Sequence, residues 1–257
     1  MKPSTPSDVS LPNPACKAQS PNGAAVVIGA GGGLGAALVA QLSGMAGETG
    51  PCAAVLALGR NSLPAIDYDD EASLKTAAKW VAAQCASQGT ELRLLVVATG
   101  FLHGAPGQPE RTLAHLDADY LRHVFQVNAI GPALVMKHFL PLLPKQGRCV
   151  AAFVSAKVGS IGDNALGGWY GYRASKAALN QLVKTASIEL TRRNKESICV
   201  ALHPGTVATA LSQPFAKTGL KVRPPEEAAS DLLAVLQGLT PEKTGCLVDY
   251  HGATLPF

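Results

Sequence analysis

The chain has 257 residues and a formal net charge of +4 at pH 7. That length suits one large α/β domain or two small ones, and the 47% hydrophobic content with 26 glycines favours one. Aromatic residues make up only 5%, which argues against a β-sandwich or a nucleic-acid binder that stacks bases. The densest basic run, Arg192-Arg193-Asn194-Lys195, is interpreted as a solvated helix end, so we expect no nucleic-acid partner.

The N-terminal residues, the apolar runs and the cysteines indicate the cellular compartment of the protein. Residues 1–22 are rich in proline and polar residues and predict a disordered leader. No apolar run approaches a membrane span, so the sequence predicts a cytoplasmic protein with no membrane partner. The six histidines show no i, i+4 pairing with other ligands, so no metal site is predicted. The cysteines lack a C-x-x-C pair, which favours reduced thiols at Cys16, Cys52, Cys85, Cys149, Cys199 and Cys246.

An apolar run at residues 24–28 predicts a buried strand, which opens into a glycine-rich turn and then a helix over residues 36–42. Strand, glycine turn and helix aim backbone N–H groups and a helix N-terminus at a pyrophosphate. The turn fits both Gly31-x-Gly33-x-x-Ala36 and Gly29-x-x-x-Gly33-x-Gly35, and the two patterns stay open here. Either pattern predicts a dinucleotide site, whose candidate residues are Gly29, Gly31, Gly32, Gly33, Leu34 and Gly35.

A second apolar run at residues 53–58 predicts the next strand, which ends in Gly59-Arg60. An NAD-specific site usually places an acidic residue here to hold the ribose hydroxyls. This chain has Arg60 instead, and a guanidinium suits a ribose 2′-phosphate. The sequence therefore predicts NADP(H) in preference to NAD(H), with an ordinary surface arginine as the alternative.

The rest of the chain alternates strands and helices, which calls for a parallel sheet covered on both faces. Further strands are predicted at residues 66–69, 92–98, 148–155, 197–203 and 245–250. Helices are predicted at residues 71–88, 117–142 and 226–237 and in the segment around Tyr172, with a kink at Gly131-Pro132 in the long one. We expect residues 23–257 to form a single doubly wound Rossmann domain, an α/β fold with a parallel seven-stranded sheet.

Tyr172 and Lys176 lie four residues apart in a run of good helix formers, so their side chains should share one helix face. An ammonium beside a phenol stabilises the phenolate, which predicts a tyrosine pKa lowered from about 10 towards the working pH. Such a phenol can act as a general acid or base on an alcohol or a carbonyl. Tyr170 lacks this partner, because its i+4 neighbour is Ala174.

Several separated motifs, in sequence order, resemble the short-chain dehydrogenase/reductase family over roughly residues 23–257. They are Gly29-x-x-x-Gly33-x-Gly35, Ala98-Thr99-Gly100, Asn128, Ser155, Tyr172-x-x-x-Lys176 and Pro204-Gly205. Three fragments are most similar to the C-factor-like carbonyl reductase branch of that family. They are Ser187-Ile188-Glu189-Leu190, His203-Pro204-Gly205-Thr206-Val207 and Val248-Asp249-Tyr250-His251-Gly252.

The resemblance implies a role for each matched residue. Tyr172 exchanges a proton with the substrate oxygen, Lys176 lowers the Tyr172 pKa and binds the nicotinamide ribose, and Asn128 holds a water of the proton relay. The resemblance also implies a homodimer or homotetramer built through the two long helices. The other residues that it places near the cofactor are Asp67, Tyr68, Ala98, Thr99, Gly100, Pro204, Gly205, Val207 and Thr209.

Two positions depart from the family's pattern. Ala98 replaces the asparagine that usually braces the strand. The family usually shows Ser-Ser-x-x-Gly, in which the second serine hydrogen-bonds the substrate oxygen. Here the sequence from Ser155 reads S-A-K-V-G, so Ala156 takes that place. We assign the catalytic serine's role to Ser155, with Ser160 and a purely structural Ser155 as the alternatives.

The predicted function is an NADP(H)-dependent carbonyl reductase or alcohol dehydrogenase, with a small-molecule carbonyl or alcohol as substrate. A dinucleotide-binding signalling or regulatory protein with little turnover is the second hypothesis, and Ala98 and Ala156 motivate it. A sugar-nucleotide epimerase or dehydratase is disfavoured, because it needs a sizeable substrate domain after the sixth strand and only about fifty residues follow it. Residues 159–171 and 210–225 are expected to border the pocket, and their composition hints at a partly apolar substrate.

Overall fold

A computed structural model of the chain describes residues 23–45, 52–215 and 222–257. The predicted leader with Cys16 lies outside these residues, as does the 216–221 part of the predicted pocket border. The strands are Gly23–Ile28 (β1), Ala54–Leu58 (β2), Glu91–Val97 (β3), Cys149–Val154 (β4), Ser197–His203 (β5), Thr206–Val207 (β6), Val222–Arg223 (β7), Leu247–Asp249 (β8) and Thr254–Leu255 (β9). Seven of them form one sheet in the order β2-β1-β3-β4-β5-β8-β9, and β6 pairs with β7. The predicted α/β class with a seven-stranded sheet is confirmed.

Helices cover both faces of the sheet. Those in the described residues are Gly33–Gly44 (α1), Glu71–Ser87 (α2), Ala118–Phe125 (α3), Gly131–Phe139 (α4), Tyr170–Arg193 (α5) and Pro225–Gly238 (α6). Buried residues of α1 and α6 form a core with one face of the sheet, while those of α2, α4 and α5 form a second core with the other face. The layers are those expected of a doubly wound domain.

Strand β1, which lies between β2 and β3 in the sheet, contributes to both cores, because successive side chains of a strand point to opposite faces. Ala24, Val26 and Ile28 join the core under α2, α4 and α5. Ala25 and Val27 join the core under α1 and α6. A strand covered on both faces carries an uninterrupted apolar sequence, which is why residues 24–28 show no polar alternation.

The strand expected at residues 66–69 is wrong, because that segment forms local turns instead. The N–H of Asp67 donates to the Ser73 hydroxyl at 2.9 Å, and the Asp67 carboxylate accepts the N–H of Asp69 at 2.9 Å. Such side-chain bonds to the backbone compete with a sheet ladder. The seventh strand is β9, which pairs antiparallel with β8, so the sheet is mostly rather than wholly parallel.

The helix expected over residues 117–142 is interrupted by a π-helical segment, Gln126–Ile130, which separates α3 from α4. Pro132 has no N–H to give, and its ring crowds the carbonyl of residue 128, so a wider turn just before it is favoured. The interruption therefore comes about one turn earlier than the kink expected at Gly131-Pro132. It carries Asn128, which is fully buried.

Three further findings concern the described residues as a group. None of their helices is both long and apolar enough to cross a membrane. They contain no cluster of three or more His, Cys, Asp or Glu side chains placed to hold a metal ion. Their cysteines are free thiols, at Cys52, Cys85, Cys149, Cys199 and Cys246.

Candidate active site

The turn after β1 begins at Gly29, whose φ of +90° lies in the region that favours glycine. The N–H groups of Gly29 and Ala30 donate to the carbonyl of Leu58 at 2.9 and 3.0 Å, which ties the turn to the end of β2. The next three residues, 31–33, are exposed glycines. Helix α1 then begins with no side-chain cap and no acidic residue in its first turn, so its N-terminal N–H groups suit an anion.

Three glycines of this turn have no room for a side chain. A Cβ on Gly29 would lie 3.0 Å from the main chain that follows β3, and one on Gly33 would lie 2.9 Å from the Thr209 methyl group. A Cβ on Gly35 would lie 2.1 Å from the Gly29 carbonyl oxygen, whereas one on Gly31 would meet nothing within 4 Å. Packing therefore requires the wider pattern, Gly29-x-x-x-Gly33-x-Gly35, and leaves Gly31 unconstrained.

The residues predicted after β5 reach the same edge of the sheet. Gly205 follows Pro204 with a φ of +75°. Thr209 packs its methyl group against the glycine turn, as the space at Gly33 shows. Val207 and Leu34 are buried in the core under α1 and α6, so these two can face the turn only through their main chains.

Arg60 lies beside the glycine turn. The residue before it, Gly59, approaches so closely that a Cβ there would lie 3.8 Å from the Gly31 nitrogen and 3.9 Å from that of Ala30. The Arg60 side chain is exposed and makes no hydrogen bond or ion pair with any described residue. Its guanidinium is therefore available for a ligand next to the turn.

The two residues predicted near the adenine differ in their surroundings. Asp67 is exposed. The Tyr68 hydroxyl lies 2.9 Å from that of Thr99, and its ring packs so tightly on Gly131 that a Cβ there would come within 2.1 Å. Burial raises the pKa of Tyr68 to about 12, although the hydrogen bond with Thr99 opposes this. Tyr68 thus joins the start of α4 to the segment after β3.

Asn128 uses its whole side chain to connect three elements. Its Oδ1 accepts the N–H of Phe101 at 2.8 Å, and its Nδ2 donates to the Phe101 carbonyl at 2.8 Å. Nδ2 also lies 3.1 Å from the Ser175 hydroxyl oxygen on α5. The amide therefore braces the segment after β3, where the sequence has Ala98 in place of the usual asparagine.

The side chains of Asn128 and Lys176 both reach Gly100. A Cβ on Gly100 would lie 3.8 Å from Asn128 Oδ1 and 3.8 Å from Lys176 Nζ. The segment that leads to it begins at Ala98, whose N–H donates to the last residue of β1 at 2.8 Å. Ala98, Thr99 and Gly100 therefore continue from β3 towards Asn128 and Lys176.

The beginning of the predicted border at 210–225 lies over this point. The side chain of Leu211 would approach a Cβ on Gly100 to 3.5 Å. The carbonyl oxygen of Ala210 lies 2.9 Å from Nε2 of His103, which belongs to the segment after β3. One apolar wall of the site thus comes from Leu211.

Tyr172 and Lys176 share one buried face of α5, as their spacing predicts, and are 8% and 2% exposed. Lys176 Nζ donates to the carbonyl of Val154, the last residue of β4, at 2.9 Å and lies 5.9 Å from the centre of the Tyr172 ring. The Trp169 ring meets the Tyr172 ring edge-on, with 6.1 Å between the ring centres. The phenol is therefore buried between Lys176 on its own helix and an aromatic neighbour.

Burial controls the pKa of both groups. It raises the pKa of Tyr172 to about 12, which corrects the lowering expected from the sequence. It lowers the pKa of Lys176 to about 8. The ammonium is bonded to the Val154 carbonyl and stands well away from the phenol ring, so its attraction does not offset the loss of water around the phenol.

The lowered pKa of Lys176 predicts a pH-dependent stability. Between about pH 8 and pH 10.5 the unfolded chain keeps a proton that the folded protein has released, so this group's contribution to the free energy of unfolding rises with pH. Relative to Lys176→Met, the free energy of unfolding of the wild-type protein should increase by on the order of 3 kcal/mol between these two pH values. Urea unfolding at pH 7 and pH 10.5 measures it. Lys184→Met, an exposed lysine on the same helix, is the matched control and should give no such gap.

The candidate serines differ in what their hydroxyls bind. Ser155 is 2% exposed, and its hydroxyl donates to Asn180 Oδ1 at 2.7 Å, one turn beyond Lys176 on α5. Ser160 is also 2% exposed, but its oxygen accepts the N–H of Asp163 at 3.1 Å, and its own proton has no acceptor among the described residues. The Ser155 proton is thus committed to joining β4 to α5, while that of Ser160 is available.

Sequence reasoning missed two residues that hold the site together. Ser175 donates to the Tyr172 carbonyl at 2.9 Å and faces Asn128, and its position on the buried face of α5 was readable from the helix period. Glu110 is 1% exposed and contacts the start of α5. It lies in an irregular segment, where no periodicity indicates burial.

The chain is similar to proteins of a known family. The family model described as short chain dehydrogenase matches residues 23–219. C-signal of Myxococcus xanthus is 37% identical over 143 residues, which are 55% of this chain and 82% of that protein. The 1-hydroxy-2-glutathionyl-2-methyl-3-butene dehydrogenase of a Rhodococcus species is 36% identical over 143 residues, and the match spans 55% of this chain and 61% of the relative.

Solved structures of related proteins share the fold. An NADPH-bound carbonyl reductase from chicken fatty liver is 25% identical, with a TM-score of 0.77 over 92% of this chain and 99% of that one. A short chain dehydrogenase from Burkholderia cenocepacia in complex with NADP has the same fold, with 24% identity and a TM-score of 0.69 over 89% of this chain and 88% of that one. The predicted resemblance is confirmed, and the chain belongs to the short-chain dehydrogenase/reductase family of oxidoreductases.

Proposed function

We propose that the protein is an NADP(H)-dependent oxidoreductase that interconverts a carbonyl and an alcohol, with Tyr172 as general acid and base. The observation that carries this proposal is the assembly of Lys176 and Asn128 around Gly100, with Tyr172 on the same buried helix face. The assembly lies at the carboxyl edge of the sheet, next to the glycine turn. Ligands of open α/β sheets bind outside that edge.

The residues at this edge fit a nicotinamide dinucleotide. The uncapped start of α1 offers N–H groups to a pyrophosphate, and Gly31 leaves the space above the turn open. Gly100 allows close access to the main chain beside Lys176, whose ammonium suits ribose hydroxyls. When bound, the nicotinamide supplies a hydride to a carbonyl or accepts one from an alcohol. The NADPH-bound chicken carbonyl reductase supports this assignment.

The proton state of the site favours reduction. Tyr172 holds its proton at neutral pH because its pKa is about 12, so it can donate that proton to a carbonyl oxygen that is becoming an alkoxide. Lys176, with a pKa of about 8, is mostly protonated at pH 7, and its charge favours the phenolate that remains. We place the relay water at the main-chain carbonyl of Asn128, because both side-chain N–H groups are already donated, Oδ1 already accepts one bond, and Pro132 has no N–H for that carbonyl.

The hydrogen bond to the substrate oxygen is assigned to Ser160, since the Ser155 proton is already donated to Asn180. Ser160→Ala should lower kcat about 10²-fold, the usual effect of removing a donor to a developing oxyanion. Ser155→Ala leaves Asn180 Oδ1 unpaired and should cost about 1–3 kcal/mol of stability with a much smaller change in kcat. Steady-state kinetics and thermal unfolding of both variants test this. The reverse pattern would return the role to Ser155.

The preference for NADP(H) depends on Arg60. Arg60→Ala should raise the KM for NADPH about 10-fold, because it removes a charge-assisted bond to the 2′-phosphate. The KM for NADH should change less than about 2-fold, because NADH has no such phosphate. Arg192→Ala, an exposed arginine at the far end of α5, controls for the change in net charge. Equal changes for the two cofactors would contradict the assignment.

Other features support the substrate and assembly proposals. Trp169 and Leu211 provide apolar surface at the site, which supports a small, partly apolar carbonyl substrate. Ile130 and Ile188 are 46% and 48% exposed on the two long helical segments, which supports a homodimer or homotetramer through them.

The free buried thiols support a cytoplasmic location.

A second candidate function comes from the 37% identity to C-signal, namely a signalling protein that binds a dinucleotide with little turnover. A panel of aldehydes and ketones with NADPH, followed by the loss of NADPH absorbance, distinguishes the two. Oxidation of NADPH that depends on the carbonyl supports the reductase. Tight NADPH binding with no turnover of any carbonyl, and none of alcohols with NADP, would favour the signalling protein instead.

A further inference from the structure

Helix α5, which carries Tyr172 and Lys176, begins without a cap of its own. Its N-cap residue, Trp169, makes no capping side-chain hydrogen bond, and its first turn contains no acidic residue. The N-terminus of a helix carries partial positive charge and N–H groups that need acceptors, and α5 is 24 residues long. The first turn is therefore open to an acceptor from elsewhere in the chain.

Glu110 supplies this acceptor from 61 residues away. Its two carboxylate oxygens accept the N–H of Gly171, the second residue of α5, at 3.2 and 3.1 Å. Glu110 is only 1% exposed. Burying a carboxylate is costly unless hydrogen bonds and favourable charge compensate, and the start of α5 provides both.

The main chain of Glu110 holds the residue just before the helix. Its carbonyl oxygen accepts the N–H of Trp169 at 2.5 Å. Trp169 has a φ of +52°, which costs a non-glycine residue about 1–2 kcal/mol, and Gly167 and Gly168 before it both have a φ of +65°. Such a left-handed run persists only where its surroundings hold it, and Glu110 is one of the contacts that do so.

The carboxylate has little room to move. A Cβ on Gly171 would lie 3.0 Å from Glu110 Oε1 and 2.9 Å from the side chain of Leu121 on α3. Tyr120 lies on the same side, 3.6 Å from that position, and its own hydroxyl donates to the Leu102 carbonyl at 2.7 Å. Glu110 is thus packed between α3 and the first turn of α5.

We propose that Glu110 is a positioning residue for the reaction. Its carbonyl holds Trp169, just before the helix begins, and its carboxylate holds Gly171, just after. Together these two bonds fix the first turn of α5, and with it the positions of Tyr172 and of the Trp169 ring beside it. This inference rests on the proposed carbonyl–alcohol oxidoreduction. A misplacement of about 1 Å at a reacting group can cost about 10²-fold in rate, so the effect falls on kcat.

The test compares Glu110→Gln, Glu110→Ala and Gly171→Ala with the wild-type protein. The glutamine keeps an acceptor without the charge, the alanine removes both, and the added Cβ on Gly171 displaces the carboxylate. We expect kcat per NADPH-binding site to fall about 10-fold for Glu110→Gln and about 10²-fold for the other two. The dissociation constant of NADPH should stay within about 2-fold, because the glycine turn is untouched.

Asp70→Ala is the matched control, because Asp70 also caps a helix, α2, by accepting the N–H of Ala72 at 3.0 Å. It should lose stability but keep kcat. Hydrogen exchange of the first-turn amides of α5 should quicken in Glu110→Ala and not in Asp70→Ala. Glu110→Gln and Gly171→Ala give two further readings if Glu110→Ala fails to fold.

A wild-type kcat in Glu110→Gln and Gly171→Ala would overturn the inference. So would faster hydrogen exchange in the first turn of α5 in Glu110→Ala without a change in its kcat. A wild-type protein that turns over no carbonyl would show instead that the proposed function is wrong. The two failures are thus distinguishable, because the first requires an active parent enzyme.

Discussion

Tyr172→Phe should lower kcat about 10³-fold while leaving NADPH affinity within about 2-fold. The variant removes one buried hydroxyl and keeps the ring that packs edge-on against Trp169. The proton that Tyr172 would give to the substrate oxygen then has no source of comparable position. Single-turnover oxidation of NADPH with the best carbonyl of the panel, with NADPH binding measured by fluorescence, gives both numbers.

Tyr170→Phe provides the control for this variant, because Tyr170 lies two residues earlier and is 37% exposed. It removes the same atom from the same helix turn and should leave kcat unchanged. If Tyr172→Phe were as fast as the parent on every substrate, the assignment of the acid would be wrong, and a solvent proton would have to replace it.

Gly35→Ala should abolish tight cofactor binding, with NADPH affinity reduced at least about 10²-fold, and should destabilise the protein by about 1–3 kcal/mol. The added Cβ would lie 2.1 Å from the Gly29 carbonyl oxygen and 2.8 Å from its carbon, and both are main-chain atoms that cannot rotate away. The start of α1 must therefore shift away from the turn that it faces. Calorimetric titration with NADPH and chemical unfolding measure the two effects.

Gly44→Ala is the matched substitution in the same helix. A Cβ on Gly44 would meet nothing within 4 Å, and alanine is favoured over glycine in a helix by up to about 1 kcal/mol. This variant should be at least as stable as the parent and should bind NADPH normally. Normal NADPH binding by Gly35→Ala would show that the turn can open without loss of the site.

The sequence was most informative where one local rule decides the structure. Residues 24–28 are apolar throughout because both faces of β1 are buried, and this pattern is visible without neighbours. The glycines of the following turn are visible in the sequence, but the sequence does not say which of them the packing requires. That distinction needs the distances that exclude a Cβ at Gly35 and allow one at Gly31, and those distances depend on how α1 packs over the turn.

The errors arise where nearby groups compete. At residues 66–69 the apolar and polar pattern resembles a strand, but Ser73 and Asp67 satisfy the backbone locally, so no ladder forms. The spacing of Tyr172 and Lys176 correctly predicted that they share one helix face. It also predicted a lowered pKa for Tyr172, whereas the pKa is raised. Burial is a property of the whole fold, and here it exceeds the effect of the lysine.

Glu110 could not have been found from its neighbours in sequence. It is buried where distant segments pack over it, and its carboxylate accepts the N–H of Gly171, far away in the chain. A polar residue in an irregular segment is usually exposed, so composition alone points the wrong way.

The enclosed ammonium of Lys176 also determines how mild alkali acts on the pocket. Lys176 loses its proton near pH 8, while Tyr172 keeps its own until about pH 12, so the charge disappears long before the acid does. A fall in reductase rate between those values would therefore report the discharge of the lysine, with the phenol still intact. We therefore expect the alkaline limb of the rate profile to follow the lysine that stands beside the proposed acid.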